Sequence, residues 1–190
     1  MDKPQPAPQS TPPPAAKPAK LPPLGKAYSD AMAFAAALLP GQRLIGLDLG
    51  TKTIGLALSD VTRTIATPLE TIKRVKFTPD VQRLLSLAAE HKVGGFVLGL
   101  PVNMIGDEGP RAQATRGFAR SLHELTALPI LFWDERLSSV AAERTLLEAN
   151  TSRRRRAEVI DKIAAGIILQ GAMDRMRYLA RSASTDVPTE

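Results

Sequence analysis

Residues 44–60, Leu44-Ile45-Gly46-Leu47-Asp48-Leu49-Gly50-Thr51-Lys52-Thr53-Ile54-Gly55-Leu56-Ala57-Leu58-Ser59-Asp60, hold one acid inside an apolar run, break for three polar residues and turn apolar again. Two short apolar runs so closely spaced read as an antiparallel hairpin: strands at 44–50 and 54–59, with a turn at 51–53. A charge inside a protein costs free energy unless it is paired, hydrogen-bonded or bound to metal. Asp48, in the middle of a core strand, is therefore a candidate site residue.

Outward from the hairpin, residues 65–70 suit a third strand. Thr78-Pro79-Asp80 reads as a helix start, and Val81, Leu84, Leu85, Leu87 and Ala88 follow it with a period near 3.6. Gly94-Gly95 ends that unit, and 96–100 is a buried strand before Pro101, which disfavours helical geometry at Leu100. A loop rich in glycine and charge spans 102–110, and residues 103–111 read as a lip over a cleft. A helix at 111–125 and a strand at 129–133 come next, the strand running into Asp134-Glu135-Arg136. Ser138-Ser139 caps a helix at 140–148. A basic connection at 151–156 leads to a last helix, marked by Ile160, Ile163, Ala164, Ile167 and Ile168 and reaching about residue 178. Strands alternating with helices indicate an α/β layered domain. The hairpin argues against a purely parallel dinucleotide fold, and the chain has neither a G-x-G-x-x-G turn nor a Walker A pattern.

The first 24 residues contain nine of the 16 prolines. Residues 1–25 thus read as a disordered, proline-rich tail. Residues 26–40 are expected to hold a short N-terminal helix, with an apolar stretch at 31–39 too short to span a bilayer. Residues 41–180 form one domain, and 181–190 a flexible tail. Prolines stand where a secretory signal needs a basic region and an apolar core. With no cysteine, disulfides, zinc fingers with thiolate ligands and iron–sulfur centres are excluded. A net charge of +6, from 25 basic and 19 acidic residues, favours polyanionic partners. Aromatic residues are too few for a stacking platform.

Two further acidic places adjoin apolar segments. Asp134 and Glu135 end a strand, and neighbouring strand residues face opposite ways. One of them can enter a site while the other bonds Arg136 or starts a helix. Asp161 lies beside the apolar stripe of the last helix. Each acid also has an ordinary reading: Asp48 bonded to backbone N–H groups or to Lys52, Asp134-Glu135 as a strand end with a cap, and Asp161 as a first-turn complement to the helix dipole. Taken together they suit Mg2+ or Mn2+, hard ions that prefer oxygen ligands, and two-metal phosphodiester hydrolysis. His91 and His123 show no paired ligand spacing and read as structural. Arg153, Arg154, Arg155 and Arg156 make the strongest basic run, with Lys52, Arg111, Arg136 and Lys162 as further candidates for phosphate contact.

Four ordered segments carry a specific resemblance: GLDLGTKTIGLALSD (46–60), GLPVNMIGDEGPRA (99–112), DERLSSVAAERTL (134–146) and IDKIAAGIILQ (160–170). They resemble the YqgF/RuvX family, the Holliday-junction resolvase-like and pre-16S rRNA nuclease group of the RNase H-like, RuvC-related superfamily. The resemblance implies an α/β, RNase H-like (RuvC-like) mixed sheet with an initial antiparallel hairpin and helices on both faces. It implies cytoplasmic maturation of the 5′ end of 16S rRNA, with structured RNA and ribosomal particles as partners, no membrane, and a monomer or homodimer. It points to Asp48, Asp134, Glu135 and Asp161 as catalytic residues. Of these, Asp48, Glu135 and Asp161 would ligate metal, with Asp134 supporting or substituting for Glu135. The strand ending at Gly99-Leu100-Pro101 lacks the acid that RuvC-type resolvases place there, which weakens the case for literal junction resolution. Three readings therefore compete: an rRNA endonuclease, a resolvase for branched DNA, and an assembly factor that binds RNA without cutting it. An actin-like or sugar-kinase ATPase ranks last, because the chain is short for two lobes and has no second phosphate motif.

Overall fold

The computed structural model describes residues 26–102, 108–137 and 153–185, with the side chains of 160–184 in the last stretch. Among them are the strands β1 (Ala27–Tyr28), β2 (Arg43–Leu49), β3 (Thr53–Ser59), β4 (Ala66–Lys73), β5 (Val93–Leu100) and β6 (Ile130–Asp134). The helices are α1 (Ala31–Ala36), α2 (Phe77–Glu90), α3 (Pro110–His123) and α4 (Arg153–Thr185), and a 3-10 turn covers Glu135–Leu137. The strands form one sheet in the order β1-β6-β5-β2-β3-β4. β2, β3 and β4 are antiparallel neighbours, while β5 lies parallel to both β2 and β6, and β1 parallel to β6. This is the RNase H-like mixed sheet that the resemblance implies, with the 44–60 hairpin as its first pair.

Alternation along each strand divides the core. Leu44 of β2, Ala57 of β3, Val97 of β5, and Leu131 and Trp133 of β6 pack with α1 and α4. Ile45 and Leu47, Ile54 and Leu56, Phe96 and Leu98, and Ile130 point the other way, onto α2 and α3. Side chains such as Leu44, Ile45, Leu47 and Phe96 are wholly buried, each contributing about 1.5–3 kcal/mol by removal from water. The hydrophobic effect thus fixes which β2 residues face which helix layer. A one-residue slip would exchange every pair. Asp48 has the parity of Leu44 and is carried to the α4 side.

The structure corrects several boundaries. Gly94-Gly95 lies inside β5, which begins at Val93. A Cβ on Gly95 would stand 2.9 Å from the Phe34 ring, so the missing side chain lets α1 cover the strand instead of ending it. The third strand runs over Ala66–Lys73 and is an edge strand, which accommodates Pro68. The N-terminal helix is only Ala31–Ala36, capped by Asp30, whose carboxylate accepts the Ala33 N–H at 2.7 Å. Before it, the two-residue β1 pairs with Ile130 and Leu131. Arg153–Arg156 begins α4 and is not a connection, and α4 extends to Thr185, beyond residue 178. The helix expected at 140–148 lies outside the described residues, as do most of the lip at 103–111 and the N-terminal tail. Among the described residues, no helix is long and apolar enough to cross a membrane.

Candidate active site

Asp48 is 1 % exposed and stands opposite Gly55 across the hairpin. Gly55 is where α4 meets the sheet. A Cβ there would overlap the Asp161 carbonyl and lie 2.8 Å from the Lys162 nitrogen. Only glycine allows so close an approach of helix backbone to strand. The register of β3 against β4 also shifts between Gly55 and Ala57, an irregularity of the kind that re-aims side chains beside functional sites. Two residues before Gly55, on the same face, Thr53 Oγ1 donates to Asp161 Oδ2 at 2.5 Å. Asp161 is thereby brought to the hairpin from 108 residues away.

On the other flank of β2, Leu47 pairs with Leu98, so Gly99 is the next position of β5 beside Asp48. A Cβ on Gly99 would lie 2.7 Å from Glu135 Oε1. The Glu135 carboxylate therefore rests over Gly99, on the face shared with Asp48 and α4. Two glycines flank Asp48, one on each neighbouring strand. Asp161 enters over one and Glu135 over the other.

Asp134 has the opposite parity. Its carboxylate accepts the backbone N–H of Arg136 at 2.9 Å and forms an ion pair with the Arg136 guanidinium at 2.6 Å. The guanidinium hydrogen bonds hold the Asp134 carboxyl below the usual carboxylate range. Asp134 lines a cavity of about 410 Å3 at the β1–β6 edge, together with Ser29, Phe132 and Arg175. Neither Asp48 nor Asp161 lines it. The adjacent acids thus have separate surroundings.

The basic candidates are dispersed. Lys52 is exposed at the hairpin turn. Lys162 is half-buried on α4 next to Asp161. Arg111 opens α3, and Arg136 is engaged by Asp134. Arg153–Arg156 forms the first turn of α4, with side chains outside the described set. Sequence reading passed over Thr53, Gly55 and Gly99. The T-x-G spacing after the turn and the glycine before Pro101 were the available signals. It also passed over Arg74, within the run Lys73-Arg74-Val75-Lys76.

The donor set around Asp48 is all oxygen and anionic, which suits a hard divalent ion. Among the described residues, no three His, Cys, Asp or Glu side chains are already gathered into a metal cage. The fit lies in donor chemistry and in convergence on one strand.

Comparison with known proteins adds the following. The family model described as "RuvX: Holliday junction resolvase" matches residues 42–175. A protein of Rhodobacter capsulatus named "Putative pre-16S rRNA nuclease" is 64% identical over 149 residues, covering 78% of this chain and 94% of that protein. Relatives of the same name from Rhizobium etli and Paracoccus denitrificans are each 63% identical over 149 residues, with 91% and 94% of their lengths covered. Among solved structures, RuvC of T. thermophilus in complex with Holliday junction substrate aligns with a TM-score of 0.48 at 14% identity, over 72% of this chain and 96% of that one.

Proposed function

This chain belongs to the RuvX family, and from that membership we propose that it is a divalent-metal-dependent endonuclease that cuts structured precursor RNA at the 5′ end of 16S rRNA, in the cytoplasm. The supporting observation is the pair of glycines flanking Asp48, over which Asp161 and Glu135 approach the same strand end. The names of the relatives from R. capsulatus, R. etli and P. denitrificans favour precursor rRNA as substrate. RuvC-type cutting of branched DNA is the second reading, favoured by the description of the matching family.

In this mechanism Asp48, Glu135 and Asp161 would hold Mg2+ or Mn2+. Such an ion, when bound, would stabilise the charge of the phosphoryl group and ease deprotonation of the attacking water. Asp48 is fixed by β2, a rigid support because both faces of that strand are packed. Thr53 orients the Asp161 carboxylate through Oδ2. Glu135, on a short turn at the strand end, orients the attacking water and accepts its proton at a carboxylate oxygen. The water oxygen bonds to phosphorus as the P–O bond to the 3′ oxygen breaks, and that oxygen takes a proton from solvent, leaving a 3′ hydroxyl and a 5′ phosphate. Lys52, Lys162 and the arginines of α4 hold flanking phosphates, contacts that position the backbone without reading bases.

The test is cleavage of a precursor RNA spanning the 5′ end of 16S rRNA. Asp48→Asn, Glu135→Gln and Asp161→Asn are each expected to lower kcat/KM at least about 100-fold, whereas Asp134→Asn stays within a few-fold of wild type. EDTA abolishes cutting, and Mn2+ restores it. Symmetric cuts in a four-way DNA junction with no cutting of the RNA would overturn the substrate assignment. Full rRNA maturation in cells carrying Asp48→Asn would replace hydrolysis by binding alone.

A further inference from the structure

The β2–β3 turn has a second side. Leu49 points away from α4, and Leu49, Gly50 and Thr51 join Arg74, Arg111 and the α3 residue Phe118 around a cleft of about 80 Å3. Among the described residues, no acidic side chain lines it. Arg74 is tied to the turn twice, by its backbone N–H to the Lys52 carbonyl at 2.9 Å and by its guanidinium Nη1 to the Gly50 carbonyl at 2.7 Å. One of its five guanidinium donors is thus used. The Arg111 guanidinium has no partner among the described residues. Elsewhere in the molecule Arg83, Arg116, Arg136 and Arg177 each hold a carboxylate. Lys52 and Lys76, both exposed, add positive charge at the same end of the sheet.

Two guanidinium groups lining one small cleft repel each other unless an anion enters. The partly apolar lining of Leu49 and Phe118 lowers the local dielectric and strengthens any attraction to that anion. Guanidinium forks match phosphate oxygens geometrically. We propose that Arg74 and Arg111 form a phosphate subsite for the RNA backbone, on the opposite side of the hairpin tip from Asp48, Glu135 and Asp161. The substrate strand is then held on both sides of the tip, and the subsite sets its register relative to the carboxylates. This rests on the nuclease reading for its substrate, but its contacts are made whether or not the RNA is cut.

Binding is therefore measured without catalysis, by fluorescence anisotropy of the full chain with a labelled precursor-16S RNA stem in EDTA, across a salt series. Arg74→Ala and Arg111→Ala are each expected to weaken binding about 10-fold. Each also flattens the plot of log K against log salt by about one unit, the signature of one lost phosphate contact. Arg111→Lys recovers the slope, since the charge remains, but only part of the affinity, since the fork is lost. Arg120→Ala removes a charge from the exposed face of α3 away from the cleft and serves as the reference. Thermal melts establish that each variant is folded. Folded Arg74→Ala and Arg111→Ala proteins with wild-type affinity and slope would overturn the proposal, as would a loss no larger than that of Arg120→Ala. Weakened binding to a four-way DNA junction with none to the RNA would overturn it also. A failure here leaves the cleavage results standing, and absent cleavage leaves the binding result standing.

Discussion

Gly55→Ala tests the contact on which the site depends. The added methyl group would overlap the Asp161 carbonyl and stand 2.8 Å from the Lys162 nitrogen, where ordinary contact begins at 3.4 Å. Both are backbone atoms, so no rotamer change relieves the clash. α4 must move off β3 by at least about 0.6 Å for the nitrogen and further for the carbonyl. That helix also packs on β2 and β4, so the displacement disturbs the core on one whole face of the sheet. Overpacking of this kind costs about 3 kcal/mol, the upper end of its usual range. In a chain of this size that lowers the Tm by about 6–12 °C. The Thr53–Asp161 hydrogen bond is lost, and a shift approaching 1 Å at the carboxylates lowers cleavage about 100-fold. Urea denaturation and the RNA cleavage assay read the two effects. Gly166→Ala is the internal control. Its Cβ would meet nothing nearer than 4.0 Å, so removing a helical glycine is expected to stabilise by up to about 1 kcal/mol. A cost below about 1 kcal/mol for Gly55→Ala, or equal effects of the two substitutions, would refute the close seating of α4 on β3.

Two further predictions concern pH. Asp60 accepts the backbone N–H groups of Ile65, Thr64 and Thr62 and the Thr62 hydroxyl, and these bonds hold its carboxyl well below the usual range, that to Ile65 most of all. A depressed carboxyl stabilises the fold above the unfolded value near pH 3.9, and the gain fades as pH falls toward the folded value. Asp60→Ala should cost about 1–2 kcal/mol at pH 7, and the gap from wild type, read as urea midpoints, should narrow by pH 3; a constant gap would count against it. His123 is buried, its Nε2 without a hydrogen-bond partner among the described residues, and burial lowers its pKa. The unfolded chain then binds a proton that the folded one refuses, so stability declines as pH drops below about 6.5. His123→Leu should flatten that decline between pH 7.5 and 5, and an unchanged slope would exclude His123 as its source.

The hairpin, the α2 stripe and the candidacy of Asp48 were legible because each is local. Period-two and period-3.6 burial patterns, and the cost of a charge in a strand, need no knowledge of distant residues. β1 was not legible, since two residues carry no period and exist as a strand only by pairing with β6. Gly94-Gly95 was misread as a break because its purpose, close seating of Phe34, belongs to another element. Arg74 drew no notice because its cleft joins the ends of β2 and β4 to α3.

By itself the sequence determined that a buried acid sits on the first long strand of an α/β sheet, that thiolate chemistry is excluded, and that four motifs follow in a known order. Only the tertiary structure decided which of Asp134 and Glu135 shares a face with Asp48, and that Asp161 reaches Thr53 at all. Asp134 ends β6 and Glu135 begins the 3-10 turn, so strand alternation alone names neither until the packed helix layers define the two faces. A hydrogen bond between residues 108 apart forms only after burial of α4 against the sheet has offset the entropy of bringing them together.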